Sequence, residues 1–345
     1  MRILDAELEH FRNFASAGLR PSPEVTAIVG DNGQGKTNAI EALFLVSALR
    51  PLRPVPRRAL IREGERRARV SIRVERATTG LEHALELRLE GHGRALVRDD
   101  KKVSAADFIG SLVCVSFTPD DLQLAKAGPD GRRKFLDRAL LNARPSYLAT
   151  ALRYAKAMKD RNKLLARDAS DEELDAFDAI LASTGARIVA ARRAYVDRIG
   201  ALVSARFDDI ARPAPPLELR YASSLLGDPS EMEGRLFDEL GARRARDRQR
   251  ATTSVGPHLD DLQLTLGGGT AKERASQGQH RALVLALKLV EIEELASELG
   301  EAPVLLLDDM SSELDAGRTR QLFEAVRRLD GQVILTSTSP PDALA

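Results

Sequence analysis

Gly30-Asp31-Asn32-Gly33-Gln34-Gly35-Lys36-Thr37 fits the spacing G-x-x-x-x-G-K-[ST], and the apolar run Val25-Thr26-Ala27-Ile28-Val29 precedes it. The pattern predicts a strand, a phosphate-binding loop and a helix. A loop that wraps a triphosphate with its backbone N–H groups needs glycine where a Cβ would obstruct the wrap or where φ is positive, which is expected of Gly30 and Gly35. Lys36 supplies positive charge to the β- and γ-phosphates, and Thr37 offers a hydroxyl to magnesium. Ala39, Ile40, Ala42, Leu43 and Val46 recur at helical spacing after the loop, so a helix dipole points its positive end at the anion. ATP and magnesium are the expected ligands.

A second set of residues completes such a site from far along the chain. Val304-Leu305-Leu306-Leu307 is continuously apolar, as a parallel strand covered on both faces must be, and it ends in Asp308-Asp309. Asp308 is expected to hold magnesium and Asp309 to polarise the attacking water, which makes Lys36, Asp308 and Asp309 the candidate catalytic residues. Ser276-Gln277-Gly278-Gln279 precedes the apolar helix carrying Ala282, Leu283, Leu285, Ala286, Leu289 and Val290, and taken alone is an ordinary helix N-cap.

The elements that must position these residues can be drawn from periodicity. Residues 1–119 are expected to form the first part of an α/β head, 120–250 a mainly helical lobe, and 251–345 the rest of the head. Leu4, Ala6 and Leu8 alternate with polar residues in an opening strand. Residues 70–74, 85–89 and 95–97 form an antiparallel meander, and 112–117 a buried strand. In the lobe, Leu174, Phe177, Leu181, Thr184, Ile188, Ala191, Tyr195, Ile199 and Leu202 mark one long amphipathic helix under a capping box at Ser170 and Glu173. A linker over 212–216 follows, then a second capping box at Ser230 and Glu233. Strand character returns from Thr252, with 262–266 alternating.

Composition excludes several classes. Hydrophobic residues make up 43% of 345, enough for a packed core, and no run approaches the ~18 apolar residues of a membrane helix. The acidic start and the single cysteine, Cys114, in an apolar run, predict a cytoplasmic protein with an inert buried thiol. Net charge is only +1, yet Arg50, Arg53, Arg57, Arg58, Arg62, Arg66, Arg67 and Arg69 face only Glu63 and Glu65 across one proline-punctuated stretch. Arg57, Arg58, Arg66 and Arg67 are the first candidates for contacting DNA phosphates, and Arg132 and Arg133 the second. With aromatics at 4%, stacking on splayed bases is not expected.

The constellation of phosphate loop, Ser276 to Gln279, Asp308-Asp309 and Ser311 to Asp315 resembles the ATP-binding-cassette heads. Within them the chain is identified as a member of the RecF recombination-mediator family, through Phe11-Arg12-Asn13-Phe14, Gly30 to Asn38, Phe117 to Leu122, Arg132 to Asp137, Gly256 to Asp261, Ser276 to Gln279 and Leu305 to Asp315. The resemblance implies a P-loop head with a mixed sheet, split by a helical lobe. It implies that Ser276, Gln277 and Gly278 of one subunit cap the nucleotide of a second, so that ATP drives a homodimer. It implies a DNA-binding bacterial ATPase that acts with RecO and RecR to load recombinase at gaps, serving repair, replication and SOS induction. Arg12 is a candidate to approach the nucleotide, and His258, which could hydrogen-bond near the site, is read first as structural. Asp309 is one methylene shorter than the usual glutamate, and Thr336-Ser337-Thr338 stands where transporters carry a histidine, so hydrolysis should be slow. The competing readings are a nucleotide-binding scaffold without turnover, a transporter ATPase subunit, which the long insertion between Lys36 and Ser276 disfavours, and a chromosome-organising coiled-coil ATPase, for which the helical insert from about 120 to 250 is too short.

Overall fold

The computed structural model describes residues 1–91, 93–126, 128–225, 227–228, 230–309 and 316–338. The chain forms two compact units, one from residues 1–123 and 281–345 and the other from 124–280. The first unit begins with β1 (Arg2–Phe11), β2 (Phe14–Leu19), β3 (Val25–Val29), α1 (Lys36–Ala48), β4 (Arg67–Glu75), β5 (Glu82–Glu90), β6 (Gly93–Arg98), β7 (Lys101–Lys102), one-turn α2 (Ala105–Phe108) and β8 (Cys114–Phe117). The inserted unit holds α3 (Pro129–Ala143), α4 (Ser146–Ala166), α5 (Asp171–Ala211), β9 (Leu217–Ala222), α6 (Met232–Ala242), α7 (Arg244–Arg250), β10 (Asp261–Leu266), β11 (Gly269–Thr270) and one-turn α8 (Ala271–Arg274). The chain then runs through α9 (Gln277–Leu299), β12 (Val304–Leu307), α10 (Ala316–Arg328) and β13 (Val333–Ser337).

Parallel and antiparallel pairing are both present in the first unit, each in its own sheet. A six-stranded antiparallel sheet has the order β2-β1-β4-β5-β6-β7, and a four-stranded parallel sheet the order β3-β13-β12-β8. The antiparallel sheet follows from alternation: Val70, Ile72 and Val74 are buried, and Val70 faces Leu8 on one side and Leu87 on the other. The parallel sheet follows from the opposite pattern, since every residue of β8, β12 and β13 is buried. Cys114 lies in this sheet, and burial pushes its thiol up to about 12, so it is inert.

The inserted unit is built on α5, whose capping box forms as the sequence predicts: Glu173 N–H donates to Ser170 Oγ and Ser170 N–H to Glu173 Oε2. The helix runs to Ala211, and at its far end Val203 and Phe207 are buried while Leu202 is exposed. Gly185 lets α6 approach α5, because a Cβ there would stand 2.6 Å from Leu236 Cδ2.

Three expectations are corrected. The second head boundary falls at 280/281 rather than 250/251, because β10 pairs with β9 along 261–266 and so belongs to the insertion. Strand β9 itself stands where a linker and the approach to a helix are expected. Ser230 does not cap α6, which starts at Met232 after Glu231; its N–H and hydroxyl both donate to Asp228 in a tight local turn.

The inserted unit also contains an arginine with no exposed surface. Arg161 Nε donates to Asp178 Oδ1 at 2.5 Å, Nη1 to Asp247 Oδ2 at 2.7 Å and to Thr253 Oγ1 at 3.1 Å, and Nη2 to the Leu240 carbonyl at 3.2 Å. Asp178 also accepts from Arg244. A buried cation that loses a partner keeps its desolvation penalty without compensation. Asp178→Ala is therefore expected to lower the unfolding free energy of this unit by about 3–5 kcal/mol. Urea unfolding monitored by circular dichroism measures it, and an unchanged midpoint would show that Arg161 does not depend on this carboxylate.

Candidate functional site

In the first unit the phosphate loop joins β3 to α1. Gly30 N–H donates to the Ser337 carbonyl of β13 at 3.3 Å, which ties the loop's entry to the end of the parallel sheet. Gly33 and Gly35 both take positive φ, +82° and +101°, and a Cβ at Gly35 would fall 2.4 Å from Asn13 Nδ2. Gly30 has no positive φ and no protein atom near the place of a Cβ. Lys36 turns back over the loop, and its Nζ donates to the carbonyls of Gly30 at 2.6 Å and Asp31 at 2.8 Å.

Asp308 follows the last residue of β12 and is 1% exposed. Its Oδ1 accepts from Thr37 Oγ1 at 2.8 Å and from Thr336 Oγ1 at 2.9 Å, and its Oδ2 faces Arg53 Nη2 at 3.4 Å. Thr336 also accepts from the backbone N–H of Asp309 at 2.9 Å, so one hydroxyl fixes both consecutive acidic residues. Asp309 takes φ +50°, a conformation that aspartate tolerates better than most residues. Lys36, Thr37, Asp308 and Asp309 are thus gathered at one end of the parallel sheet, with Thr336 and Arg53 as participants that sequence reasoning missed. A threonine hydroxyl and a carboxylate side by side suit a hard oxygen-seeking cation. Among the described residues no group of three His, Cys, Asp or Glu could hold a metal by itself. A hydroxyl and one carboxylate are a donor set that magnesium accepts when phosphate and water complete its shell.

The Phe11-Arg12-Asn13-Phe14 turn brings Arg12 up to the first helix. Its Nε donates to buried Glu41 at 2.7 Å and its Nη1 to the Ala59 carbonyl at 2.9 Å, so Arg12 braces α1 against the basic segment. Its neighbour Asn13 touches the loop instead, donating from Nδ2 to the Gln34 carbonyl at 3.2 Å and accepting from Asn38 at 2.8 Å. Arg62 donates to the Asn13 carbonyl. Of the basic segment, Arg57, Arg58, Arg66 and Arg67 are all exposed, and Arg67 pairs with Glu90 at 3.3 Å on an open surface.

The inserted unit holds the other candidates. Ser276 is exposed and caps α9: Gln279 N–H donates to Ser276 Oγ at 3.2 Å, and Gln279 Oε1 accepts from Ser276 N–H at 2.9 Å. Gln277 and Gly278 form the first turn of that helix. Arg132 and Arg133 do not offer a free basic surface. Arg132 makes a bidentate pair with Asp261 at 2.7 Å, and Arg133 donates to the Asp260 carbonyl at 2.7 Å. His258 is structural, as the sequence suggested. Its Nε2 donates to the Thr253 carbonyl at 3.0 Å, which leaves Nδ1 to accept from Tyr154 Oη at 2.7 Å. The 311–315 stretch lies outside the described residues.

Comparison with known proteins gives consistent relatives. The RecF/RecN/SMC N-terminal domain family matches residues 2–342. The DNA replication and repair protein RecF of Myxococcus xanthus is 42% identical over 98% of this chain and 91% of its own length. The RecF of Symbiobacterium thermophilum is 37% identical over 100% of this chain and 93% of its own. The solved structure of the recombination mediator protein RecF-ATPrS in the RecFOR pathway superposes with a TM-score of 0.91 at 31% identity, covering 99% of this chain and 93% of that one. An Smc head from Pyrococcus furiosus, at 17% identity and a TM-score of 0.53, shares the fold.

Burial gives His258 a pH signature. It holds the ring below its ordinary value of 6.5, so the unfolded chain binds the proton first on acidification. The stability contributed by neutral His258 is present above the unfolded value and is lost as pH falls toward the folded one. His280, buried and shifted the same way, adds to the trend. Between about pH 7.5 and 5.5 the unfolding free energy should therefore fall, and fall less in His258→Gln. Urea titrations across that range measure both slopes, and equal slopes would mean that His258 titrates alike folded and unfolded.

Proposed function

The chain belongs to the RecF family of DNA replication and repair proteins, and on that premise we propose that it is an ATP-binding, DNA-binding recombination mediator whose hydrolytic site is the phosphate loop and the end of β12. The observation that carries the reading is the Thr37–Asp308 hydrogen bond, which brings the two halves of an ATPase site together from positions far apart in sequence. The relatives solved as RecF-ATPrS and RecF-ATP support ATP as the nucleotide.

In this reading Lys36 exchanges the carbonyls of Gly30 and Asp31 for phosphate oxygens, and the backbone of residues 30–35 wraps the triphosphate. Thr37 and Asp308 would hold magnesium, which when bound neutralises charge developing on the transferred phosphoryl group. Asp309 orients the attacking water and acts as its base. Because its carboxylate is carried on a side chain one methylene shorter than glutamate's, turnover is slow, and hydrolysis acts as a timer for release from DNA, which would also stimulate it. Ser276, Gln277 and Gly278 cap the γ-phosphate held by a second copy of the chain, so the active form is an ATP-dependent homodimer. An exposed serine at the N-terminus of a long helix suits that use.

DNA binding would rest on phosphate contacts from Arg57, Arg58, Arg66 and Arg67, which makes it steeply salt-dependent and nearly indifferent to sequence. Arg132 and Arg133 are left out because both are engaged inside their own unit. Membership in the family, with relatives solved in the RecFOR pathway, supports RecO and RecR as partners in loading recombinase at gaps. Replication restart, SOS induction and a cytoplasmic location belong to the same proposal. Among the described residues no helix is long and apolar enough to cross a membrane.

Two variants test the site and its completion in trans. Lys36→Ala should weaken fluorescent-nucleotide binding roughly tenfold to a hundredfold, the value of one charge-assisted contact. Ser276→Arg should leave nucleotide binding by the monomer intact and abolish the ATP-dependent doubling of mass seen by light scattering. Wild-type affinity in the first variant would refute the phosphate-loop reading, and a dimer that forms without ATP would refute the composite site.

A further inference from the structure

The basic segment and the nucleotide site share one contact. Arg53 is more than half exposed along its side chain, yet its Nη2 reaches Oδ2 of Asp308, a carboxylate with 1% of its side chain exposed. The other oxygen of that carboxylate is engaged by two neutral hydroxyls, Thr37 and Thr336. A buried carboxylate without a compensating charge is costly, and Arg53 supplies charge at the face the threonines leave open. The cation assigned to this same carboxylate in the ATPase reading is magnesium.

The segment that carries Arg53 is held at both ends. At one end Arg94 Nη1 donates to the Leu49 carbonyl at 2.7 Å. At the other, Arg12 holds the backbone of Ala59 and Leu60, and Arg62 N–H donates to the His10 carbonyl at 2.7 Å. Between these anchors Pro51, Pro54 and Pro56 stiffen the chain, and Arg57 and Arg58 open a single 3-10 turn immediately after Pro56. Only three residues, two of them prolines, separate Arg53 from Arg57.

We propose that Arg53 is a further residue of the nucleotide site, the resident counter-charge of Asp308 that magnesium nucleotide must displace, so that occupancy of the site repositions the basic segment at Arg57 and Arg58. The proposal rests on the ATPase reading of the site. It gives this chain a reason to place arginines beside a phosphate loop: the same segment reports whether nucleotide is bound and presents its charges accordingly.

The test uses the full chain, with Arg53→Gln to remove the charge and Arg53→Lys to keep it. Nucleotide binding is followed by fluorescence while magnesium is titrated, and limited trypsin cleavage after Arg57 and Arg58 is mapped with and without magnesium nucleotide. Because Pro54 follows Arg53, trypsin does not cut there, and the substitutions leave the digestion map otherwise unchanged. Displacement predicts that Arg53→Gln reaches half-maximal binding at a several-fold lower magnesium concentration than wild type, and that Arg53→Lys stays close to wild type. It also predicts that nucleotide increases cleavage after Arg57 and Arg58 in wild type, whereas Arg53→Gln is cleaved at the higher rate throughout. An equal or higher magnesium requirement in Arg53→Gln, or a cleavage pattern that nucleotide does not alter in wild type, would overturn the proposal. Failure of wild type to bind magnesium nucleotide at all would instead overturn the ATPase reading.

Discussion

A carboxylate withdrawn from water at the end of an apolar strand must be met by donors, and in this chain the donors that meet Asp308 come from three distant segments. Thr37 belongs to the first helix, Thr336 to the last strand and Arg53 to the basic segment. The parallel register makes this possible: Leu307 lies beside Leu335, so the residues that follow, Asp308 and Thr336, emerge at the same level. One strand further, Ser337 lies beside Val29 and accepts from Gly30, which sets the phosphate loop at the same edge. The order β3-β13-β12-β8 is thus the arrangement that lets the loop and the acidic pair share one place, although the inserted unit separates them in sequence.

Much of this was legible because it is written in short-range pattern. The loop motif, the unbroken apolar run of β12, the alternation of β4 and β5, and the capping box of α5 are all local signals, and each element formed where its signal stood. What the sequence did not disclose depends on partners far away. Strand β9 carried a short signal of its own, Leu217, Leu219 and Tyr221 alternating with Glu218 and Arg220, but it follows the linker prolines directly and is fixed as a strand by pairing with β10. Ser230 had the right spacing for a helix cap, but Asp228, two residues earlier, captured its hydroxyl first. Asn13, which touches the phosphate loop, has no periodic or motif signal apart from its place in the Phe-Arg-Asn-Phe turn.

Arginine-rich composition was the least reliable guide. A charge surplus along the chain counts side chains without knowing which are already engaged. Arg69 is bracketed by Glu9 and Glu86 across neighbouring strands, Arg62 supports the turn at Asn13, and Arg53 faces Asp308. In the inserted unit Arg132, Arg133 and Arg161 hold elements together, two of them through aspartates. These are tertiary uses of charge, in which the planar guanidinium serves as a fork between elements rather than as a surface for an outside anion. The basic surface available to an outside anion is correspondingly narrower than the sequence total suggests.

The central claim is that Thr37 and Asp308 act as one unit in binding magnesium nucleotide, and a double-mutant cycle tests it most directly. Affinity for magnesium ATP would be measured for wild type, Thr37→Val, Asp308→Asn and the double variant. The account predicts that each single change weakens binding and that the double variant is little weaker than the worse single one, a coupling of roughly 1 kcal/mol or more. Losses that simply add, with no coupling between the two positions, would contradict it.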